Sequence, residues 1–203
     1  MSRPLGAIPA RVWSRGLSPM AGGSDRAARF LSMWCPPQYL GGCSLAAVSD
    51  ETDVRLGRNY DLSPNLNEGL IMQTAWTGQG LMGMVESLWG LSDEINDAGP
   101  SIARAYGGRT ETGKGFGITT ILRYVLATCD TVDQAFAALD RVPSHMAYNV
   151  VTADAAGQTA SIELSPGGGA PLPAVVADRT HDRCRRPARL ERGRPDRRDA
   201  GGA

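Results

Sequence analysis

The sequence has very little lysine, little histidine and no long apolar run. Lys114 is the single lysine, and the two histidines, His145 and His181, lie far apart in the chain. No apolar stretch approaches the roughly 18 residues of a membrane helix, and proline and arginine interrupt the first residues, so neither a membrane span nor a signal peptide is predicted. We therefore expect a cytoplasmic protein with no membrane partner.

Cysteine is also scarce, and its spacing excludes two classes of protein. The four cysteines, Cys35, Cys43, Cys129 and Cys184, show neither the short spacing of a metal site nor a paired disulfide framework. Free thiols in a reducing compartment are the expectation. We predict no metal and no other cofactor.

The formal net charge is zero, but the charges are unevenly distributed. Residues 1–178 carry 17 acidic and 12 basic residues, whereas residues 179–203 carry nine arginines and four acidic residues. From Gly167 to the last residue, large apolar side chains are nearly absent, so we predict a disordered tail rich in Arg, Pro and Gly over residues 167–203. A nucleic-acid-binding tail is the alternative, but the segment lacks aromatic side chains for base stacking, and we expect no nucleic acid partner.

Short apolar and β-favouring runs begin at Cys43. "CSLAAVS", "DVRLGRNYDL", "LIMQTAWTG" and "LMGMVESLWG" are separated by turn-rich breaks, which is the pattern of antiparallel strands joined by hairpins. Two later runs, "AYNVVTAD" and "TASIELS", are joined by "AAGQ" and predict a further hairpin.

Helical periodicity separates these two groups of strands. Apolar residues from Ile118 to Leu126 recur on one helical face, and a second helix follows in "TVDQAFAALDRV", where Thr131 and Gln134 are spaced as a capping box. An earlier helix is predicted in "SDRAARFLSMW", with Ser24 as its cap. Strands, then two helices, then strands predict an α+β fold with mainly antiparallel sheets.

Cys43 stands directly after two glycines, and two explanations are open. It is either the first core residue of a strand or a nucleophile released by cleavage of the Gly42–Cys43 bond. A cysteine at a new N-terminus is chemically competent, because its own α-amino group can take the thiol proton. The strand explanation is the commoner one for an isolated cysteine.

Four other residues complete a candidate site around Cys43. Arg58 in "GRNYD" would favour the thiolate, and Asp61 would hold the α-amino group in position. Asn96 and Asn149 would donate amide N–H groups to an oxyanion. Each residue also has an ordinary structural explanation, in a surface ion pair or a turn.

A glycine-rich segment, Gly108–Gly115, imitates a phosphate-binding loop. It has the form G-x-x-x-x-G-K, but Gly115 stands where the loop needs Ser or Thr for the metal, and the alternation of strands and helices is missing. A nucleotide-binding protein therefore stays a weak alternative, and we expect a flexible loop before a helix.

The segments "YLGGCS", "LGRNYD", an N-x-x-G segment and "PSHMAYNVVTADAAG" together resemble the linear-amide C–N hydrolases, the family that includes acyl-coenzyme A:6-aminopenicillanic acid acyltransferase. The resemblance runs from about Phe30 to Pro166. It implies an N-terminal nucleophile hydrolase with an αββα sandwich, made as a precursor and cut before its nucleophilic cysteine. Residues 1–42 would be the pro-segment and residues 43–166 a partial hydrolase domain.

The resemblance also implies roles and substrates. Cys43 would be the nucleophile and Gly42–Cys43 the cleaved bond, while Asp61 would orient the α-amino group and Arg58 would lie by the thiol. Asn149 and, more loosely, Asn96 would form the oxyanion site. The substrates would be small acylated amines, peptides or penicillin-type amides, with acyl-coenzyme A as a candidate acyl donor.

The sequence departs from the family after the last predicted hairpin. Family members continue through further strands and helices, whereas here the composition changes to Arg, Pro, Gly and Ala. We therefore expect an incomplete sandwich, and a tail read in a lost frame would give this composition. An inactive remnant or a binding protein of the same fold is the alternative to an active enzyme.

Overall fold

The computed structural model describes residues 22–38 and 41–167, together with the backbone of residues 172–174. The elements in chain order are α1 (Asp25–Ser32), β1 (Gly42–Ser49), β2 (Val54–Asp61), a 3₁₀ turn (Pro64–Leu66), β3 (Ile71–Thr74), β4 (Leu81–Val85), β5 (Leu91–Asn96), β6 (Ser101–Tyr106), α2 (Ile118–Leu126), α3 (Val132–Leu139), β7 (Tyr148–Ala153), β8 (Thr159–Leu164) and β9 (Leu172–Ala174). No helix in the described ranges is long and apolar enough to span a bilayer.

Seven strands, β3 to β9, form one antiparallel sheet in which spatial order follows chain order. Its hairpins turn at glycines with positive φ, including Gly78, Gly99 and Gly157. Glycine adopts this backbone region without the steric penalty of a Cβ atom. The tight turns keep consecutive strands adjacent, and the two helices between β6 and β7 do not separate these strands in the sheet.

Helices α2 and α3 cover one face of the large sheet. The Thr131 hydroxyl accepts a hydrogen bond from the Gln134 backbone N–H at 3.3 Å and so caps α3, as predicted. In a capping box, the Gln134 side chain would accept from the Thr131 N–H. Here it accepts from the N–H of the preceding residue, Asp130. The core lies between these helices and the sheet, with Ile121, Leu122 and Ile162 almost fully buried.

Strands β1 and β2 form a separate two-stranded antiparallel sheet. It packs against β6, β7 and β8 of the large sheet. Arg58 of β2 contacts Asp93, which pairs with Ala103, whereas the neighbouring residue in β6, Ile102, points into the helix-covered core. Because side chains alternate between the faces of a strand, the small sheet lies opposite the helices. The described residues therefore form helix, sheet and sheet layers.

The segment before β1 is attached to the domain by backbone pairing and aromatic contacts. Ser24 caps α1, as predicted, by accepting from the Ala27 N–H. After α1, the Cys35 N–H donates to the Gly115 carbonyl at 2.8 Å, and the Gly117 N–H donates to the Met33 carbonyl at 2.7 Å. Edge-to-face contacts join Phe30 to Trp89 and Trp34 to Phe116. The start of α2 is therefore covered by residues that precede Gly42.

The α+β class with antiparallel sheets is confirmed, and three layers of the expected four-layer sandwich are present in the described residues. Two points differ from the sequence prediction. Residues 91–106 form two full strands, where the sequence analysis assigned no strand and gave a turn as the ordinary explanation of Asn96. Leu172–Ala174, assigned to a disordered tail, pair with β8. Residues 168–171 and 175–203 of that predicted tail lie outside the described residues.

Candidate active site

The small sheet has an inner and an outer face, and the candidate residues divide between them. Cys43, Arg58 and Tyr60 alternate with more exposed residues and point to the large sheet. Asp61 and Asn59 lie on the outer, exposed face. Cys43 pairs directly with Tyr60, and Gly42 pairs with Asp61. The hairpin register therefore brings three sequence-predicted residues, Cys43, Arg58 and Asp61, to one end of the small sheet.

The Arg58 guanidinium lies against the Cys43 thiol. Its Nη2 is 3.4 Å from the Cys43 Sγ. The Arg58 side chain is 2% exposed, so this contact takes place away from bulk water. A guanidinium N–H at this distance can donate a hydrogen bond to the sulfur. The contact joins two of the residues that the sequence analysis placed in the candidate site.

Two carboxylates and an aromatic ring surround the same guanidinium. Arg58 Nη1 lies 3.1 Å from an Asp93 carboxylate oxygen, and Nη2 lies 3.9 Å from Glu86 Oε2. The guanidinium carbon lies 4.0 Å from the centre of the Tyr60 ring. A buried arginine requires such counter-charges, since an unpaired charge in the interior is strongly unfavourable. Arg58 is therefore fixed on several sides.

Asp61 lies beside the peptide bond that precedes Cys43. A Cβ atom built on Gly42 would lie 3.3 Å from the Asp61 Cβ and 3.5 Å from Asp61 Oδ2. This spacing is tight, which gives a physical reason for glycine at position 42. The Asp61 carboxylate also accepts a hydrogen bond from Asn59 Nδ2 at 2.6 Å. An amino group formed at Cys43 would therefore have a carboxylate beside it.

Asn149 is on the correct face of the large sheet for the expected oxyanion role. It pairs with Ala105 of β6, and alternation places its side chain on the face that carries the small sheet. The residue is exposed in β7, between buried neighbours. The structure thus leaves its amide accessible on the Cys43 side of the sheet.

The role expected for Asn96 does not agree with the structure. Its Nδ2 donates to the carbonyls of Leu126 and Cys129 at 2.9 and 2.8 Å, and its Oδ1 accepts from the Ala98 N–H. Both amide hydrogens are therefore used at the end of α2, on the helix-covered face. Asn96 is 4% exposed and closes the helix terminus. The N-x-x-G spacing contains no information about which sheet face the side chain occupies.

The sequence did not reveal Glu86, Asp93 or Arg104 as neighbours of this site. Glu86 also forms an ion pair with the fully buried Arg104. The available signal was a charged residue inside an apolar run, "LMGMVESLWG" for Glu86 and "SIARAY" for Arg104. A charge flanked by buried residues is unusual unless it is paired. The pairing itself is long-range and is not readable from the local sequence.

A cavity of about 210 Å³ borders this cluster. It lies between the segment that follows α1 and the start of α2, and its walls include Met33, Pro36, Ile118 and Tyr148 together with Glu86. Most of these side chains are apolar. Glu86 therefore touches both this cavity and the Arg58 guanidinium.

Other titratable groups in the core are not arranged for catalysis. Burial raises the pKa of the Cys129 thiol, so this cysteine stays protonated at neutral pH and is a poor nucleophile. Burial, opposed in part by Arg123, raises the pKa of Glu94 to about 8. Both residues face the helices. Neither contacts Cys43 in the described residues.

The glycine-rich loop before α2 is used for packing. A Cβ atom on Gly115 would lie 2.3 Å from the Ser144 carbonyl carbon, and one on Gly113 would lie 2.3 Å from the Gly167 nitrogen. Glycine is required at both positions by the close approach of other backbone segments. Because the Gly117 N–H at the start of α2 already donates to Met33, a phosphate-binding arrangement is not formed here.

The α+β layers and the cysteine–arginine pair can now be compared with known proteins. Residues 48–173 match the family model of acyl-coenzyme A:6-aminopenicillanic acid acyl-transferase. The matched range is more than half of the chain and includes Arg58, Asp61 and Asn149, while Cys43 lies just before it. The chain belongs to this family. No curated protein matches the chain.

Two solved structures are similar over part of their length. Penicillin V acylase from Agrobacterium tumefaciens is 15% identical, with a TM-score of 0.38 over 64% of this chain and 38% of that one. A variant of conjugated bile acid hydrolase from Clostridium perfringens is 14% identical, with a TM-score of 0.36 over 71% of this chain and 46% of that one. The chain spans less than half the length of either structure.

Proposed function

We propose that this chain is a self-cleaving cysteine amidohydrolase or acyltransferase that acts on linear C–N amide bonds. Family membership supports the class of reaction. The observation that carries the proposal for this chain is the contact of 3.4 Å between Arg58 Nη2 and Cys43 Sγ. A buried guanidinium against a thiol at a Gly-Cys junction is a nucleophile arrangement, and a core cysteine does not require it.

The first reaction is cleavage of the Gly42–Cys43 bond. The Cys43 sulfur attacks the Gly42 carbonyl carbon, the C–N bond breaks, and the acyl group moves to sulfur as a thioester. Water then hydrolyses the thioester, which leaves a Gly42 carboxylate and a free α-amino group on Cys43. Since the thiol attacks the peptide bond directly before it, no second chain is needed.

The second reaction uses the α-amino group as base. It accepts the thiol proton while Asp61 holds it in place, and the thiolate attacks the carbonyl of an external amide. The amine leaves with a proton, and the thioester is hydrolysed by water or transferred to another amine. Arg58 stabilises the thiolate, and Asn149 donates to the developing oxyanion. Asn96 has no part, because its amide is committed to α2.

Family membership supports a proposal for the substrate class. We propose small acylated amines, peptides or penicillin-type amides in the cytoplasm, with acyl-coenzyme A as a candidate acyl donor. The apolar cavity beside Glu86 is consistent with an apolar acyl group.

Release of a fluorescent amine from a panel of N-acyl aminocoumarins tests this function. We expect turnover with at least one acyl group and none in Cys43→Ala. The matched control is Cys129→Ala, which removes a buried thiol on the other face of the sheet and should keep turnover in the folded protein. Equal turnover in Cys43→Ala and wild type would refute the proposal. No turnover with any acyl group would favour a binding protein of the same fold.

A further inference from the structure

Four charged side chains form a row of ion pairs, and one of them, Arg58, contacts the Cys43 thiol. Arg104 pairs with Glu86 Oε1, Glu86 Oε2 lies 3.9 Å from Arg58, and Arg58 lies 3.1 Å from Asp93. The charges alternate in sign along the row. The side chains of Arg104, Arg58 and Glu86 are 0%, 2% and 6% exposed, whereas Asp93 is 32% exposed. In this row of four charged side chains, the end that includes Glu86 and Arg104 is therefore buried, and the end at Asp93 is partly exposed to water.

Glu86 contacts the nitrogen of Arg58 that also contacts sulfur. Nη2 is 3.4 Å from Cys43 Sγ and 3.9 Å from Glu86 Oε2, whereas Asp93 contacts the other terminal nitrogen, Nη1. The two oxygens of Glu86 go to two different arginines. Glu86 is therefore placed to decide where Nη2 points.

The backbone of Glu86 is itself fixed by a tight turn. Its N–H donates to the Gly90 carbonyl at 2.9 Å, which closes the hairpin between β4 and β5. A Cβ atom on Gly90 would lie 2.3 Å from Thr119 Oγ1 and 2.6 Å from the Glu86 carbonyl oxygen. The turn therefore requires glycine at position 90, and a hydrogen bond to this glycine holds the Glu86 backbone.

We propose that Glu86, held by Arg104, is the positioning residue that keeps the Arg58 guanidinium on the Cys43 thiol. The proposal rests on the proposed role of Cys43 as nucleophile and extends it. Without the Glu86 charge, Arg58 and Arg104 lose their shared counter-ion. Arg58 then keeps only its ion pair with Asp93, the more exposed member of the row of charges, and its guanidinium moves away from the Cys43 sulfur. Glu86 acts through Arg58 and not on the substrate.

The test is the pH dependence of Cys43 alkylation by iodoacetamide in the full chain. The tryptic peptide that ends at Arg55 begins at Cys43 in the cut chain and at Phe30 in the uncut chain. The longer peptide also contains Cys35, so fragment ions that separate the two cysteines assign the alkylation to Cys43. Glu86→Gln should raise the pH of half-maximal alkylation by about one unit, the direction also expected for Arg58→Ala. The double variant should show no further rise over Arg58→Ala. Glu51→Gln, an exposed glutamate in the turn at the far end of the β1–β2 hairpin, is the matched control and should cause no change.

Each alternative result overturns the proposal. An unchanged or lowered midpoint in Glu86→Gln would mean that Glu86 does not hold Arg58 at the thiol. An equal rise in the Arg58→Ala background would mean that Glu86 acts without Arg58. If Glu86→Gln does not fold, Glu86→Asp keeps the charge but cannot reach both arginines, and it should give a smaller rise; no rise would contradict the proposal.

Alkylation requires no self-cleavage and no amide substrate. A normal Glu86 effect in a chain without turnover would therefore refute the proposed function and leave this inference intact. Amide turnover by wild type, together with an unchanged alkylation midpoint in Glu86→Gln, would refute this inference and leave the proposed function intact.

Discussion

On the face of the large sheet that carries β1 and β2, buried Arg58 lies between Asp93 and Glu86 and touches a thiol. On the helix-covered face, the positive charge of Arg123 acts favourably on buried Glu94, but the Glu94 carboxyl oxygens have no hydrogen-bond partner among the described residues. One face holds paired charges in fixed positions, whereas the other holds a carboxyl group that is neutral near pH 7 because burial raises its pKa to about 8.

This difference between the two faces of the large sheet predicts different effects of substitution on each face. Paired charges beside a cysteine keep their positions and can stabilise a thiolate. On the helix-covered face, Asn96 closes a helix end, and burial keeps the Glu94 carboxyl group neutral near pH 7. Substitutions on the first face should therefore change reactivity, and those on the second should change stability.

The largest effect is expected for Asn149→Ala. Loss of one oxyanion donor reduces turnover by about 10²–10³-fold, while the exposed position should leave the melting temperature nearly unchanged. Steady-state kinetics with the best aminocoumarin substrate and a thermal melt measure the two effects. Unchanged kcat in Asn149→Ala would remove this residue from the site.

Asn96→Ala is the reciprocal experiment on the other face. The carbonyls of Leu126 and Cys129 lose their donor, which should lower the free energy of unfolding by roughly 2–4 kcal/mol. Urea unfolding measures the change. Amide turnover by the folded variant should match that of wild type, and a strong loss of turnover without loss of stability would restore the oxyanion role.

Asp61→Asn should give a smaller change in reactivity. The α-amino base loses its charged partner but keeps a polar neighbour, so we expect turnover to fall about tenfold or more with folding preserved. Asp53→Asn is the matched control, since it makes the same substitution at the other end of the same hairpin. Similar kinetics for the two variants would place Asp61 outside the mechanism.

The last prediction is a pH dependence of stability caused by Glu94. Its pKa in the folded protein, about 8, is above the ordinary value of 4.5, so the stability it contributes is complete below about pH 4.5 and is lost as the pH rises to 8. Over that range wild type should lose up to about 1.4 kcal/mol for every pH unit relative to Glu94→Gln. Urea unfolding at several pH values tests this, with the exposed Glu163→Gln as control. Parallel curves for wild type and Glu94→Gln would show that Glu94 is ionised in the folded protein.

Elements with strong local signals were predictable from the sequence. The periodicity of Ile118–Leu126, the caps at Ser24 and Thr131 and the alternation after Cys43 each depend on residues a few positions apart. Strand β9 was missed because it is short and depends on pairing with β8. Strands β5 and β6 were missed because their polar and small residues are buried through contacts with other strands and helices.

In the candidate site, too, local contacts were predictable from the sequence and long-range contacts were not. Cys43, Arg58 and Asp61 lie in one hairpin, so their proximity follows from local register. Glu86 and Asp93 reach Arg58 from distant parts of the chain, and Asn96 faces the helices because of the pairing of the whole sheet. Long-range register has no short sequence signal, and these contacts therefore required the structure.

The intact mass of the purified chain during incubation tests the central claim most directly. We predict conversion to two fragments, residues 1–42 and 43–203, with Cys43 as the new N-terminal residue, while Cys43→Ala stays a single chain. Both fragments should elute together under native conditions, because Gly117 and Gly115 bind the segment after α1 through backbone hydrogen bonds. A wild-type chain that stays uncut, or a Cys43→Ala chain cut at the same bond, would contradict the account.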